Sequence, residues 1–284
     1  DLASSASSTG ISSAICAVPF TKRARCIEHL LDQRVDAIFY PCLTYNLDEK
    51  RGDNHFNCPV VAYYPEVISA NVDRVTETRF IYEYIGLNNK KILSRRLYEL
   101  LKVWNRDLRI NEVRLAVDRG LIEYRQYMKR IHQKGEEFLQ IAEESGKLAV
   151  VLAGRPYHAD PEINHGIAKL ITEYDVVVLS EDSISHLGNR VSTDILDQWT
   201  YHSRLYAAAE LAAVLPNVEL VQLISFGCGL DAITSDEVKA ILEEHGKIYT
   251  QLKIDEITNL GAVKIRIRSL LAAIEQRSEE AYKK

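Results

Sequence analysis

The chain has 284 residues, 46% of them hydrophobic and 26% charged, which fits one large or two ordinary globular domains. Its 35 basic and 40 acidic side chains give a formal charge of −5, which argues against a bulk electrostatic grip on nucleic acid. No apolar run approaches the roughly 18–20 residues that span a bilayer, so no membrane segment is expected.

The first ten residues are Ser-rich and lack the basic and apolar regions of a signal peptide. They read as a lead-in or as the cut edge of a longer protein. Five cysteines, at 16, 26, 42, 58 and 228, are an odd and scattered set, unlike a secreted disulfide framework. Reduced thiols and a cytoplasmic setting are expected, with the cysteines buried or ligating a metal.

Residues 22–33 form a helical candidate with Ile27, Leu30 and Leu31 on one face. Two short apolar runs, 36–41 (DAIFYP) and 59–65 (PVVAYYP), are expected to be buried strands that stop at proline. Leucines at 93, 97, 100 and 101 then recur at helical spacing, and apolar residues continue that pattern to Ile141. Gly120 and Gly135 mark expected breaks in this helical stretch.

Alternation of strands and helices resumes at 148–153 (LAVVLA), with 154–158 (GRPYH) as the exit loop. Asp160, Pro161 and Glu162 have the pattern of a helix start. Further strands are expected at 175–180, 220–225 and 248–254. Helices are expected around Trp199 to Leu211, from a Thr234/Glu237 capping box to Glu244, and over 261–280. The fold class is therefore α/β: two Rossmann-like parallel-sheet units with an intervening helical segment. The boundaries fall at 1–75, 76–146 and 147–284.

Ligands of open parallel sheets bind beyond the carboxyl ends of the strands. Cys42, the 154–158 loop and Cys228 all fall at such ends. Cys228 lies between two glycines, which let the backbone approach a ligand and leave amides free to donate. It is either a reactive or ligating thiol or a small hydrophobe in a tight turn. Arg155 and His158 are the candidate cofactor-binding residues of the exit loop. Arg155 could meet a CoA phosphate, reinforced by the following helix start, or could pair structurally with Asp160 or Glu162. His158 and His165 are seven apart, a spacing that favours solvent-facing or hydrogen-bonded roles over a metal pair. No C-x-x-C pair is present, so spacing supports neither a zinc ribbon nor a ferredoxin-type run.

Several strings nevertheless belong together: 39–45 (FYPCLTY), 53–61 (DNHFNCPVV), 64–68 (YPEVI), 153–162 (AGRPYHADPE), 199–206 (WTYHSRLY), 225–231 (SFGCGLD) and 252–256 (LKIDE). From about Ile15 onward the chain resembles the conserved domain of large proteins that activate 2-hydroxyglutaryl-CoA dehydratase. That domain is itself similar to the iron–sulfur subunits of 2-hydroxyacyl-CoA dehydratases. The resemblance implies a [4Fe–4S] cluster, or a double-cubane cluster, held by three cysteines between two α/β halves. Cys16, Cys42 and Cys228 match the ligand positions, with Cys58 as a substitute or neighbour. Three ligands would leave one iron open.

The resemblance further implies low-potential electrons delivered by an ATP-hydrolysing activator, acyl-CoA as the substrate that loses water, anaerobic chemistry, and a homo- or heterodimer. The chain has no phosphate loop of its own, so the ATPase would lie on another chain or in a missing part of the same protein. The sequence departs from the family at 16–22 (CAVPFTK), where proline follows the cysteine by three residues rather than two, and at 23–26 (RARC), where the family has a His-Gly-His step. Two other readings stay open: a noncatalytic interaction domain with a degenerate cluster site, and a metal-free Rossmann-like binder of small molecules.

Overall fold

In the computed structural model the described residues are 17–225, 228–254 and 259–282. The first helix, α1 (Ala17–Asp32), buries Ile27 and Leu31 one turn apart, and Arg34, with φ at +53°, turns the chain two residues after its end. Strands β1 (Ala37–Phe39) and β2 (Cys42–Tyr45) follow, separated by Pro41. The run at 59–65, expected to be a strand, is instead two helices, α2 (Pro59–Ala62) and α3 (Tyr64–Asn71). Each has its proline in the first helical positions, where the missing N–H costs no hydrogen bond. Ala62, Tyr64 and Ile68 are buried from this pair, so the β-branched and aromatic content serves helix packing rather than a pleat.

Two further strands, β3 (Arg79–Ile81) and β4 (Tyr84–Gly86), lie inside the stretch expected to be helical. They pair in parallel with β1 and β2 respectively, so this half has two 2-stranded parallel sheets rather than one continuous sheet. Helix α4 (Lys90–Lys102) is capped by the Asn89 side chain, which accepts from the amides of Lys91 and Ile92. Helix α5 (Ile110–Glu144) runs unbroken through Gly120 and Gly135. Gly135 is there for contact, since a Cβ on it would collide with the Ser183 carbonyl.

The larger sheet holds β5 (Ala149–Ala153), β6 (Val177–Ser180), β7 (Val218–Ser225) and β8 (Thr250–Ile254), all parallel, in the order β6-β5-β7-β8. Between β5 and β6 the regular helix α6 (Ile167–Thr172) starts later than its Asp160 signal. Asp160 does hold a local turn, with its carboxylate accepting from the Glu162 amide. His165 and Gly166, both at positive φ, then reverse the chain before the helix begins. The short helix α7 (Glu181–Ile184) and the long α8 (Thr200–Val214) follow β6. Helix α9 (Gly229–Glu244) has Cys228 at its N-cap position, six residues ahead of the expected Thr234 cap, and Thr234 donates its hydroxyl to Leu230 within it. Helix α10 (Leu260–Tyr282) closes the chain.

Strand alternation sorts the core into two layers. Ala149, Val151, Ala153, Val218 and Leu220 pack with α8 and α9 on one face. Val150, Val221, Leu223 and Leu252 pack with α6 and α10 on the other. Strand β5 has its sequence successors on opposite sides, so the switch in strand order falls between β5 and β7. A crevice at their carboxyl ends is where such sheets hold ligands.

The N-terminal half reaches this sheet through the segment before α2. Phe56 bridges Tyr45 and Trp199, donating its amide to Gln198 and accepting from the Thr200 amide. Glu49 forms a bidentate pair with Arg204 of α8. Gly52 lies so close to Ser203 Oγ and the Asp197 carbonyl that no side chain fits there.

Candidate functional site: two thiols on one guanidinium

Strand β5 leaves the sheet through Gly154, and the next turn folds His158 back over it. The Arg155 amide donates to His158 Nδ1 at 3.1 Å. A Cβ on Gly154 would overlap that nitrogen, so glycine is the residue this fold-back admits. The strand exits of β5 and β7 then meet. Arg155 Nη2 donates to Cys228 Sγ at 2.9 Å and to Asp231 Oδ1 at 2.5 Å, while Nη1 faces Cys58 Sγ at 3.8 Å. Asp231, in the first turn of α9, accepts the Ser225 amide on Oδ2 at 2.8 Å. One carboxylate thus fixes both the guanidinium and the end of β7.

The site is sealed. Arg155 is 6% exposed, and Cys58, Cys228, Asp231, His158 and His202 are all buried. Burial alone would lower the pKa of Arg155, but Tyr157, Asp231, Cys228 and Cys58 around it hold it above the usual arginine value. Burial, with the Arg155 charge, pushes His158 and His202 down to about 3, so both imidazoles are neutral. Because His158 Nδ1 accepts from the Arg155 amide, its proton sits on Nε2, which faces Ser225 Oγ at 3.3 Å. The one fixed cation among these groups therefore stands beside two thiols. Thiolate is the form in which cysteine acts as nucleophile and metal ligand.

Of the sequence candidates, Arg155, His158, Cys58 and Cys228 come together here. The partner of Arg155 is Asp231, and His158 takes the hydrogen-bonded one of its two expected roles, buried and bonded to the Arg155 amide. Cys42 is buried at the start of β2, and its amide donates to the Glu83 carbonyl. Burial, and then the Glu66 and Glu83 carboxylates, push its thiol up. Asn57, the residue before Cys58, bonds to Leu43 and Thr44 of the same strand, so Cys42 and Cys58 belong to adjoining segments. Cys16 lies outside the described residues. Among those residues no group of three His, Cys, Asp or Glu side chains is poised to hold a metal ion.

Cys58 and Cys228 fit an iron–sulfur cluster in donor type and local charge, since thiolates ligate such clusters and a cation beside them offsets the negative charge. The Cys42 environment favours a neutral thiol, which would ligate only where a metal displaces its proton. Sequence reasoning missed His202 and the pairing role of Asp231. Asp231 had a readable signal, three residues after Cys228 in the first turn of a helix.

The model of the CoA enzyme activase uncharacterised domain (DUF2229) matches residues 5–184. That span includes Cys42, Cys58, Arg155 and His158 and ends with α7, ahead of Cys228 and Asp231. Comparison with curated proteins finds no match, nor does comparison with solved structures. No helix among the described residues is long and apolar enough to cross a membrane. The match covers more than half of the chain, which therefore belongs to the CoA enzyme activase family defined by this domain, in keeping with its resemblance to dehydratase activators.

Proposed function

We propose that this chain is an activator-related module that holds an iron–sulfur cluster through buried thiols and handles low-potential electrons for acyl-CoA chemistry. The observation that carries the reading is the convergence of Cys58 and Cys228 on the Arg155 guanidinium. A bound cluster, [4Fe–4S] or double-cubane, would supply one-electron transfer. Cys58 and Cys228 are its nearest ligands in this reading, and Cys42 and Cys16 complete the set.

Arg155 would offset the negative charge of thiolates, and Asp231 orients Arg155 through the same nitrogen, Nη2, that faces Cys228. The neutral imidazoles of His158 and His202 add no charge to the pocket. The closed surroundings exclude water from the thiols. The partners in this reading are a dehydratase component and an ATP-hydrolysing module, on another chain or another part of the same one.

The test is anaerobic purification with iron and sulfide analysis, before and after reconstitution. Near-stoichiometric iron and sulfide are expected in the wild type. Both should be lost in Cys58→Ala and Cys228→Ala and kept in Cys26→Ala, whose thiol is exposed. A wild-type protein that takes up no iron on reconstitution overturns the reading.

A further inference from the structure

Beside the thiol site, the carboxyl ends of β5 and β6 border a cavity of about 400 Å³, within the roughly 300–1,000 Å³ of small-molecule sites. Its position follows from topology. The chain runs first strand, Gly154, α6, second strand, and then the acidic pair Glu181–Asp182. In nucleotide-binding parallel sheets the phosphate lies at the turn after the first strand, and an acid after the second accepts from ribose hydroxyls. The interval here exceeds the roughly 20 residues of the dinucleotide fold, and the turn at 160–166 takes up the excess.

The walls have the matching chemistry. Tyr124, Tyr127 and Tyr201 offer aromatic surface to a base. Ser180 Oγ donates to Asp182 Oδ1 at 2.6 Å, fixing one carboxylate at the end of β6. Arg155 lines the cavity as well as the thiol site, and its buried Nε has no hydrogen-bond acceptor among the described residues. Buried donors are almost always paired, so an unpaired guanidinium N–H is what an anionic ligand would complete. Arg204, locked by Glu49 and within 3.4 Å of the Tyr124 hydroxyl, adds a second positive charge. Glu181 also lines the cavity, where burial and Asp182 push its carboxyl up to about 8, so it is neutral and does not repel a phosphate.

We infer that this cavity binds a ribonucleoside 5′-phosphate with a free ribose diol, Asp182 accepting from the diol and Arg155 facing the phosphate. The inference goes beyond the cluster reading and does not depend on it. It also makes CoA a poor occupant, because the CoA ribose carries a 3′-phosphate that Asp182 would repel.

The test is calorimetric titration of the full chain with AMP, 2′-deoxy-AMP and CoA. AMP is expected to bind, with 2′-deoxy-AMP about tenfold weaker because a charge-assisted hydrogen bond is lost. In Asp182→Asn that preference should shrink to about twofold or less, while AMP still binds. No heat with millimolar AMP, equal affinity for AMP and its deoxy form in the wild type, or CoA binding in preference to AMP overturns the inference. Iron content is read separately, so failure here and failure of the cluster reading are distinguishable.

Discussion

Arg155 and Asp231 form an ion pair at 2.5 Å in which the side chains are only 6% and 7% exposed, and they come from the exits of two neighbouring strands. The pair closes the end of the crevice between β5 and β7. Removing one partner leaves the other charged and buried, whereas removing both leaves a packing defect and the Ser225 amide without its carboxylate acceptor but no buried charge. Asp231→Leu is therefore expected to cost about 3–5 kcal/mol in urea denaturation, and Arg155→Met/Asp231→Leu clearly less than the sum of the single changes. Additive losses would show that the two side chains do not act as a unit.

His158 and His202 set the acid limit of stability. Both are held near 3 in the folded state, below the ordinary histidine value of 6.5. Between about 6.5 and 3 the unfolded chain binds protons that the folded chain refuses, so stability falls as pH drops through that window. Each imidazole contributes a slope of up to about 1.4 kcal/mol per pH unit. Urea midpoints at a series of pH values should show this decline, with a shallower slope in His202→Gln.

Glu181 acts in the opposite direction. Its carboxyl is raised from 4.5 to about 8, so from pH 4.5 upward the folded state holds a proton that the unfolded state has lost. That contribution destabilises progressively as pH rises to about 8 and is constant above it. Glu181→Gln, which keeps the shape without the titration, should flatten the decline in stability between about pH 4.5 and 8.

Three glycines should respond differently to alanine. At Gly154 the new methyl displaces His158, and at Gly135 it collides with the Ser183 backbone, so both changes should destabilise by about 1–3 kcal/mol. Gly120, in the same helix as Gly135, faces open space, and Gly120→Ala should stabilise by about 0.5–1 kcal/mol. Thermal unfolding of the three variants checks the order.

Thiol accessibility offers a direct probe of the buried site. In a Cys16→Ser variant, a thiol-reactive chromogenic disulfide is expected to modify Cys26 rapidly in native buffer. Cys42, Cys58 and Cys228 should react only on unfolding. Rapid native reaction of two or more thiols would show that the Arg155 pocket opens to solvent.

Much of this arrangement was legible in the sequence. Strands with flanking turns read correctly at β1, β5, β6, β7 and β8, although β1 is less buried than expected, with Phe39 exposed, because a continuous apolar run between turn residues has few other uses. The run at 59–65 misled because period alone does not separate a short buried strand from a short buried helix. The deciding fact, proline at the first helical positions, points both ways. Strands β3 and β4 were missed because three residues are too few to show alternation. The approach of Cys228 to Arg155 could be anticipated from two strand exits, and Asp231 from its place in the same motif. The arrival of Cys58, from a segment docked on Trp199, could not: it depends on contacts between distant parts of the chain that no local pattern records.

The bridge through Phe56 has a mechanical consequence. Its backbone is pinned on one side by Tyr45 and on the other by residues 198–200, and Cys58 follows only two residues later. Trp199 lies immediately before α8, whose Tyr201 and Arg204 line the nucleotide-sized cavity. The start of α8 and the Cys58 segment therefore share one set of backbone contacts, while Cys228 follows the end of β7. The position of Cys58, and with it the spacing of the two sulfurs, is thus set by backbone contacts to the same residues that lead into the cavity wall.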